Sequence, residues 1–127
     1  MSTRAIVGYE RTDGTIIGTL CENDGHEIKN NLKRDFKSLL DVNFILDLGK
    51  FKTICSKKEY EDSIKRKKEK NIDISRTTFI PYGKSIILQD NYDIGKDPIE
   101  YKNIEDIFAQ DINIAYIFKN GKWEEYR

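Results

Sequence analysis

A single histidine, His26, is the whole imidazole supply of this chain. Multi-histidine metal centres and paired-histidine phosphohydrolases are excluded by that scarcity. A Ser–His–acid or Cys–His arrangement would have to use His26, and no Gly-x-Ser-x-Gly elbow surrounds any serine. Only two cysteines occur, Cys21 and Cys55, without Cys-x-x-Cys spacing. That rules against a secreted disulfide framework and a zinc site, and both are expected as reduced, packed thiols. No phosphate-binding glycine loop of either common type is present. No stretch approaches the ~20 apolar residues of a membrane-spanning helix. The opening MSTRAIVGYE lacks an apolar signal core, so a cytoplasmic location is expected. Charge of one sign is not in excess either, with 22 basic residues against 22 acidic ones. Proteins that track long nucleic acid draw affinity from neutralised phosphates and usually show a basic surplus. A small anionic ligand asks for only two or three local cations.

What is present suits one α+β domain spanning 1–127. The 127 residues are 38% hydrophobic and 35% charged, enough for one core, with burial completed by oligomerisation. Ala5, Val7 and Tyr9 alternate with Ile6 and Gly8, and Thr12-Asp13-Gly14 supplies a hairpin turn before a return strand from Thr15 to Cys21. Asn23-Asp24-Gly25 ends that strand. Ile28, Leu32, Phe36, Leu39 and Leu40 then form the apolar stripe of a helix over about 27–40, with Lys29, Lys33, Arg34 and Lys37 on its wet side. Leu46 to Gly49 reads as a helix end or turn, and Phe51 to Cys55 as a short strand. Thr77 to Pro81 and Ser85 to Gln89 read as strands around Tyr82-Gly83. Asp97-Pro98 reads as the start of a helix running to about Ala109, with Ile104, Ile107 and Phe108 inward. Ile112, Ile114, Tyr116 and Phe118 alternate up to Asn120-Gly121, and Trp123 to Tyr126 returns. The expected architecture is a mainly antiparallel sheet built from the N- and C-terminal hairpins, with two to three packed helices.

Candidate chemistry is sparse. The segment SKKEYEDSIKRKKEK, residues 56–70, starts with a capping box between Ser56 and Glu59. It is read as a solvated surface helix or, more sharply, as an anion-binding edge made by Lys65, Arg66, Lys67 and Lys68. Carboxylates cluster at Glu59, Glu61 and Asp62 and again at Glu105 and Asp106, but neighbouring acids on a helix point in different directions. No metal, cofactor or catalytic set is implied. Aromatics remain, with seven Tyr, six Phe and one Trp. In the middle of the chain Arg76, Phe79, Tyr82, Lys84, Asn91 and Tyr92 mix rings, cations and amides. A base stacks on an aromatic face, a cation grips phosphate oxygens, and an amide reads a ribose hydroxyl.

The two ends resemble a phage-encoded family. The features that carry the likeness are Ser2-Thr3-Arg4-Ala5, Asp13-Gly14, Cys21, Asp24-Gly25, and then Tyr116, Asn120-Gly121 and Trp123. Roughly the first quarter and last eighth of the chain are covered. Within that group the sequence is most similar to the first described Thoeris anti-defence family, whose members act as sponges. The resemblance implies binding, without degradation, of cyclic ADP-ribose-type signals made by TIR-domain proteins, and in some members of cyclic oligonucleotides. It also implies dimers or higher oligomers with pockets between subunits. On this analogy Phe79 or Tyr82 stacks on adenine, Arg4, Arg76 or Lys84 holds the diphosphate, and Asn91 bonds ribose hydroxyls. Two other readings stand beside it. One is an inhibitor that docks helix 56–70 on a host protein, and the other is a small phosphodiesterase using Glu59 and Asp62 with a metal.

Overall fold

A computed structural model describes residues 3–91 and 98–127. The architecture is α+β and antiparallel-rich, with twelve elements among the described residues. They are β1 Ala5–Glu10, β2 Ile16–Cys21, α1 Lys29–Asp35, α2 Leu39–Leu48, β3 Thr53–Ser56 and α3 Lys57–Glu69. After these come β4 Thr77–Tyr82, β5 Ser85–Asp90, β6 Ile99–Tyr101, α4 Ile104–Phe108, β7 Ile114–Lys119 and β8 Lys122–Tyr126.

Both terminal hairpins form, and they lie in one five-stranded sheet ordered β6-β2-β1-β7-β8. The hairpins join through a parallel seam, with Ala5 opposite Ile114 and Tyr9 opposite Phe118. Asn120 and Gly121 adopt φ of 53° and 77°, the left-handed pair a two-residue turn requires. The other sheet is three-stranded, ordered β3-β5-β4. Its inner face, with Ile54, Ile80, Tyr82 and Ile87, meets Ala5, Val7, Ile114 and Tyr116 of the larger sheet in one core. Ile28, Leu32 and Phe36 of the α1 region fill the space between. A smaller cluster of Ile6, Ile16, Ala115 and Ile117 on the far face of the large sheet is covered by Ile107 and Tyr101.

Two segments depart from expectation. The single helix over 27–40 is two helices. Its stripe breaks where Phe36 takes φ −118° and ψ 79°, and Ser38 starts α2 with a complete capping box to Asp41. The Asp41 carboxylate accepts both the Lys37 and Ser38 backbone N–H groups, at 3.0 and 3.2 Å. These local bonds satisfy donors that a continuous helix would have paired differently. The register resets, so Leu39 and Leu40 point outward at 46% and 80% exposure. Val42, Ile45 and Leu46 become the buried positions instead. The helix expected from Asp97-Pro98 is likewise shorter. Ile99–Tyr101 pairs antiparallel with β2, Ile16 opposite Tyr101, and Asn103 rather than Asp97 caps α4, accepting from the Asp106 N–H at 3.0 Å. Tyr101 is buried by that pairing. Burial on a sheet edge outweighs a proline signal for helix initiation. Asp97 itself lies outside the described residues. No helix among the described residues is long and apolar enough to cross a membrane.

Candidate functional site

The anticipated binding residues that the structure describes do not meet as one set, although Arg76 and Asn91 are neighbours, the Asn91 backbone N–H donating to the Arg76 carbonyl at 2.9 Å. Arg4 sits at the start of β1, its backbone N–H on Asn113 Oδ1 at 2.9 Å and its guanidinium 3.9 Å from Asp111. Tyr82, a candidate to stack on a base, is half-buried. Its ring stacks on Phe36 at 4.6 Å and leans on Phe44 at 4.7 Å, and its hydroxyl donates to Asp41 Oδ1. That contact occupies both the face and the polar tip needed for a base. It pushes the Tyr82 phenol up to about 12 and holds the Asp41 carboxyl below its usual range. Lys84 lies in the β4–β5 turn, while Arg76 lies at the opposite end of β4. Asn91, the candidate for ribose hydroxyls, has both side-chain groups engaged: its oxygen accepts from Thr78 and its amide donates to Ser75 O at 3.2 Å. Phe79 is 52% exposed and stands against Tyr60 at 5.2 Å. Tyr92 lies outside the described residues.

The catalytic alternatives fare no better in geometry. Glu59 accepts the Ser56 backbone N–H at 3.0 Å as part of the α3 cap, and no cluster of metal-binding side chains occurs among the described residues. Burial drives the Cys21 thiol far above its ordinary range and pushes Cys55 up to about 11. His26 is exposed. A thiolate nucleophile needs the opposite environment.

Rings and free cations do meet elsewhere, at the tip of the β7–β8 hairpin. Phe118 and Trp123 are cross-strand partners, edge to face at 5.3 Å. The Trp123 indole N–H donates to the Phe36 carbonyl at 2.7 Å. One bond therefore fixes the ring's orientation and clamps the hairpin to the end of α1. Two grooves flank this tip. One, of about 500 Å³, includes Tyr9, Arg11, Leu39 and Lys119, but its cations are neutralised: Arg11 pairs with Glu100 at 2.8 Å and Lys119 with Glu10 at 3.0 Å. The other, an open depression of about 410 Å³, is lined by Trp123 and the nearly buried Phe118 over the fully buried Phe36, and is rimmed by Lys33, Lys37 and Lys122. No carboxylate lines it. None of its three lysines has an ion-pair partner among the described residues. Both volumes lie in the range of small-molecule sites.

Three ammonium groups without ion-pair partners among the described residues surround an oriented indole, a chemistry suited to an anion that carries a flat ring. Each ammonium offers three donors and no acceptor, and the aromatic wall offers a stacking surface. Gly121 also lines the groove, and Tyr116 of the same sheet donates to the Gly25 carbonyl at 2.7 Å. Sequence reading placed Lys33 and Lys37 on a wet helix face and Trp123 on a return strand. Their meeting with Lys122 depends on the hairpin folding back over α1, for which no local pattern exists. The chain matches no family model, no curated protein and no solved structure.

Proposed function

We propose that this protein binds a small phosphorylated ring compound, a signalling nucleotide, in the Trp123 groove and releases it unchanged. The observation that carries the reading is the trio Lys33, Lys37 and Lys122, free of carboxylate partners beside an aromatic wall. No histidine, cysteine or acid lines that groove to attack a ligand or shuttle its protons. A binding role without turnover fits that lining.

The magnitudes define what such a site needs. A stacked base contributes about 1–3 kcal/mol, and each charge-assisted contact roughly 1.5–3. Nanomolar affinity takes about 12 kcal/mol after ordering costs. An open groove on one chain reaches micromolar binding more readily than nanomolar. A second copy closing over the rim would supply the remainder, and the outward Leu39 and Leu40 beside the grooves give it an apolar place to rest. The likeness of the chain ends to anti-defence sponges points the ligand class toward cyclic ADP-ribose isomers and the setting toward the cytoplasm of an infected bacterium. The proposed role is sequestration of that signal.

Trp123 is the one tryptophan, so intrinsic fluorescence reports the groove directly. Titration with cyclic ADP-ribose isomers and with cyclic di- and trinucleotides is expected to change Trp123 emission for at least one compound. Lys33→Ala and Lys122→Ala should each weaken that binding by about tenfold or more while moving stability by less than about 0.5 kcal/mol. Heating the complex should release intact ligand. No response to any of these compounds, or recovery of a cleaved product, defeats the reading.

A further inference from the structure

Helix α3 has no fully buried residue, yet it is one of the two helices with a complete capping box. Its packing on the sheet rests on half-buried positions, Tyr60, Ser63, Ile64 and Lys67. It covers the outer face of the three-stranded sheet incompletely and leaves a separate pocket of about 100 Å³. Tyr60, Ile74, Phe79 and Leu88 form the apolar walls, with Ser63 and Lys67 on the helix side. The volume is far below the 300 Å³ or more typical of nucleotide-sized ligands. It suits one aromatic or branched aliphatic side chain, the size of anchor that dominates protein interfaces. The apolar rim extends beyond the pocket, since Phe79 and Ile72 are 52% and 50% exposed.

Charge decides what kind of chain would carry that anchor. The whole protein is neutral, but over α3 and the turn after it, residues 57–76, eight cations stand against five acids, and the surplus is concentrated at 65–76, with six against two. Lys65, Arg66, Lys68, Lys70 and Arg76 are exposed, and none has an ion-pair partner among the described residues. One or two cations suffice to complement the C-terminus of a helix dipole. The surplus makes a positive field around an apolar hole. Long-range attraction and a single buried anchor together are the recognition pattern of an acidic protein segment.

The geometry points to this pocket as a docking site for an acidic peptide segment bearing one large hydrophobic residue, distinct from the Trp123 groove and independent of the nucleotide reading. The discriminating experiment uses fluorescence anisotropy with short labelled peptides made of Glu, Asp and Ser around a central Phe. A matched peptide with central Ala, a Lys-based peptide with central Phe, and a single-stranded oligonucleotide of equal charge complete the set. The acidic Phe peptide is expected to bind about tenfold or more tightly than each of the other three. Lys67→Glu should weaken it by a similar factor, as should Ser63→Phe, which fills the hole from the helix. Both variants should keep the wild-type circular dichroism, and the Lys33→Ala/Lys122→Ala double variant should bind the peptide as the parent does. Equal binding of the Phe and Ala peptides, or absence of binding by the Phe peptide, overturns the proposal. So does tighter binding of the oligonucleotide, and so does a loss caused by the groove variant but not by Lys67→Glu.

Discussion

The two sheets are built from similar residues and end in opposite conditions. Strand β7 of the large sheet buries five of its six residues, whereas β4 of the small sheet buries none fully. The difference lies in neighbours. β7 is paired on both sides and packed on both faces, with Tyr116 toward the shared core and Ile117 toward α4. β4 is an edge strand with only its inner face on the core and α3 loosely laid over its outer one. The chain termini therefore make the more buried sheet, and the middle of the chain makes the less buried one. The aromatic side chains of these two strands follow the same division, with Tyr116 of β7 buried and Phe79 of β4 exposed.

The sharpest test of how little the outer face of the small sheet is buried would come from truncating one ring against each of its faces. Phe36 is fully buried beneath Tyr82, so Phe36→Ala should cost about 3–5 kcal/mol in urea unfolding. Phe79→Ala, on the outer face, should cost roughly 1 kcal/mol or less. Equal losses would mean that the outer face of the small sheet is as much core as the inner one.

Capping offers a finer comparison, because α2 and α3 carry the same device. Ser38 accepts the Asp41 N–H at 3.2 Å and Ser56 accepts the Glu59 N–H at 3.1 Å. Ser38→Ala should lower global stability by about 1 kcal/mol, since α2 delivers Val42, Ile45 and Leu46 to the core. Ser56→Ala should instead appear mainly as faster amide exchange within α3, because that helix contributes no buried residue of its own. A global loss from Ser56→Ala equal to that from Ser38→Ala would erase the distinction.

The smallest effect is one of pH, at the contact joining the small sheet to α2. Hydrogen bonding from Tyr82 holds the Asp41 carboxyl low, so its stabilising contribution is present above the unfolded carboxylate range and lost as pH falls through the depressed folded value. The Tyr82 phenol is raised to about 12, chiefly by the same bond. Its contribution is complete below about pH 10 and disappears as pH rises toward 12. Tyr82→Phe should flatten both limbs of a stability–pH profile measured by denaturant titration. An unchanged alkaline limb would place the sensitivity in another tyrosine.

Much of the large sheet was legible because its signals are local. Asp13-Gly14 and Asn120-Gly121 announce turns through positive φ, and the alternation on either side of them needs no distant partner. The break between α1 and α2 was also written locally, as Ser38 three residues before Asp41, but the apolar spacing of Leu39 and Leu40 outweighed it in reading. The binding residues were the least legible. Arg76, Phe79, Tyr82, Lys84 and Asn91 lie close in sequence, yet a strand separates its two ends by about 3.3 Å per residue, so proximity along the chain was a poor guide to convergence.

Composition, turn chemistry and capping thus settled the α+β class, both terminal hairpins and the capped start of α3 from residues a few positions apart. Those features depend on backbone angles and hydrogen bonds that close within a turn or two. Tertiary structure alone decided that the hairpins meet through a parallel β1–β7 seam, that Tyr82 is consumed by Phe36 and Asp41, and that Trp123 faces three lysines. Such outcomes turn on which apolar faces cover one another, and the free energy of that choice comes from contacts tens of residues apart, beyond the reach of any sequence window.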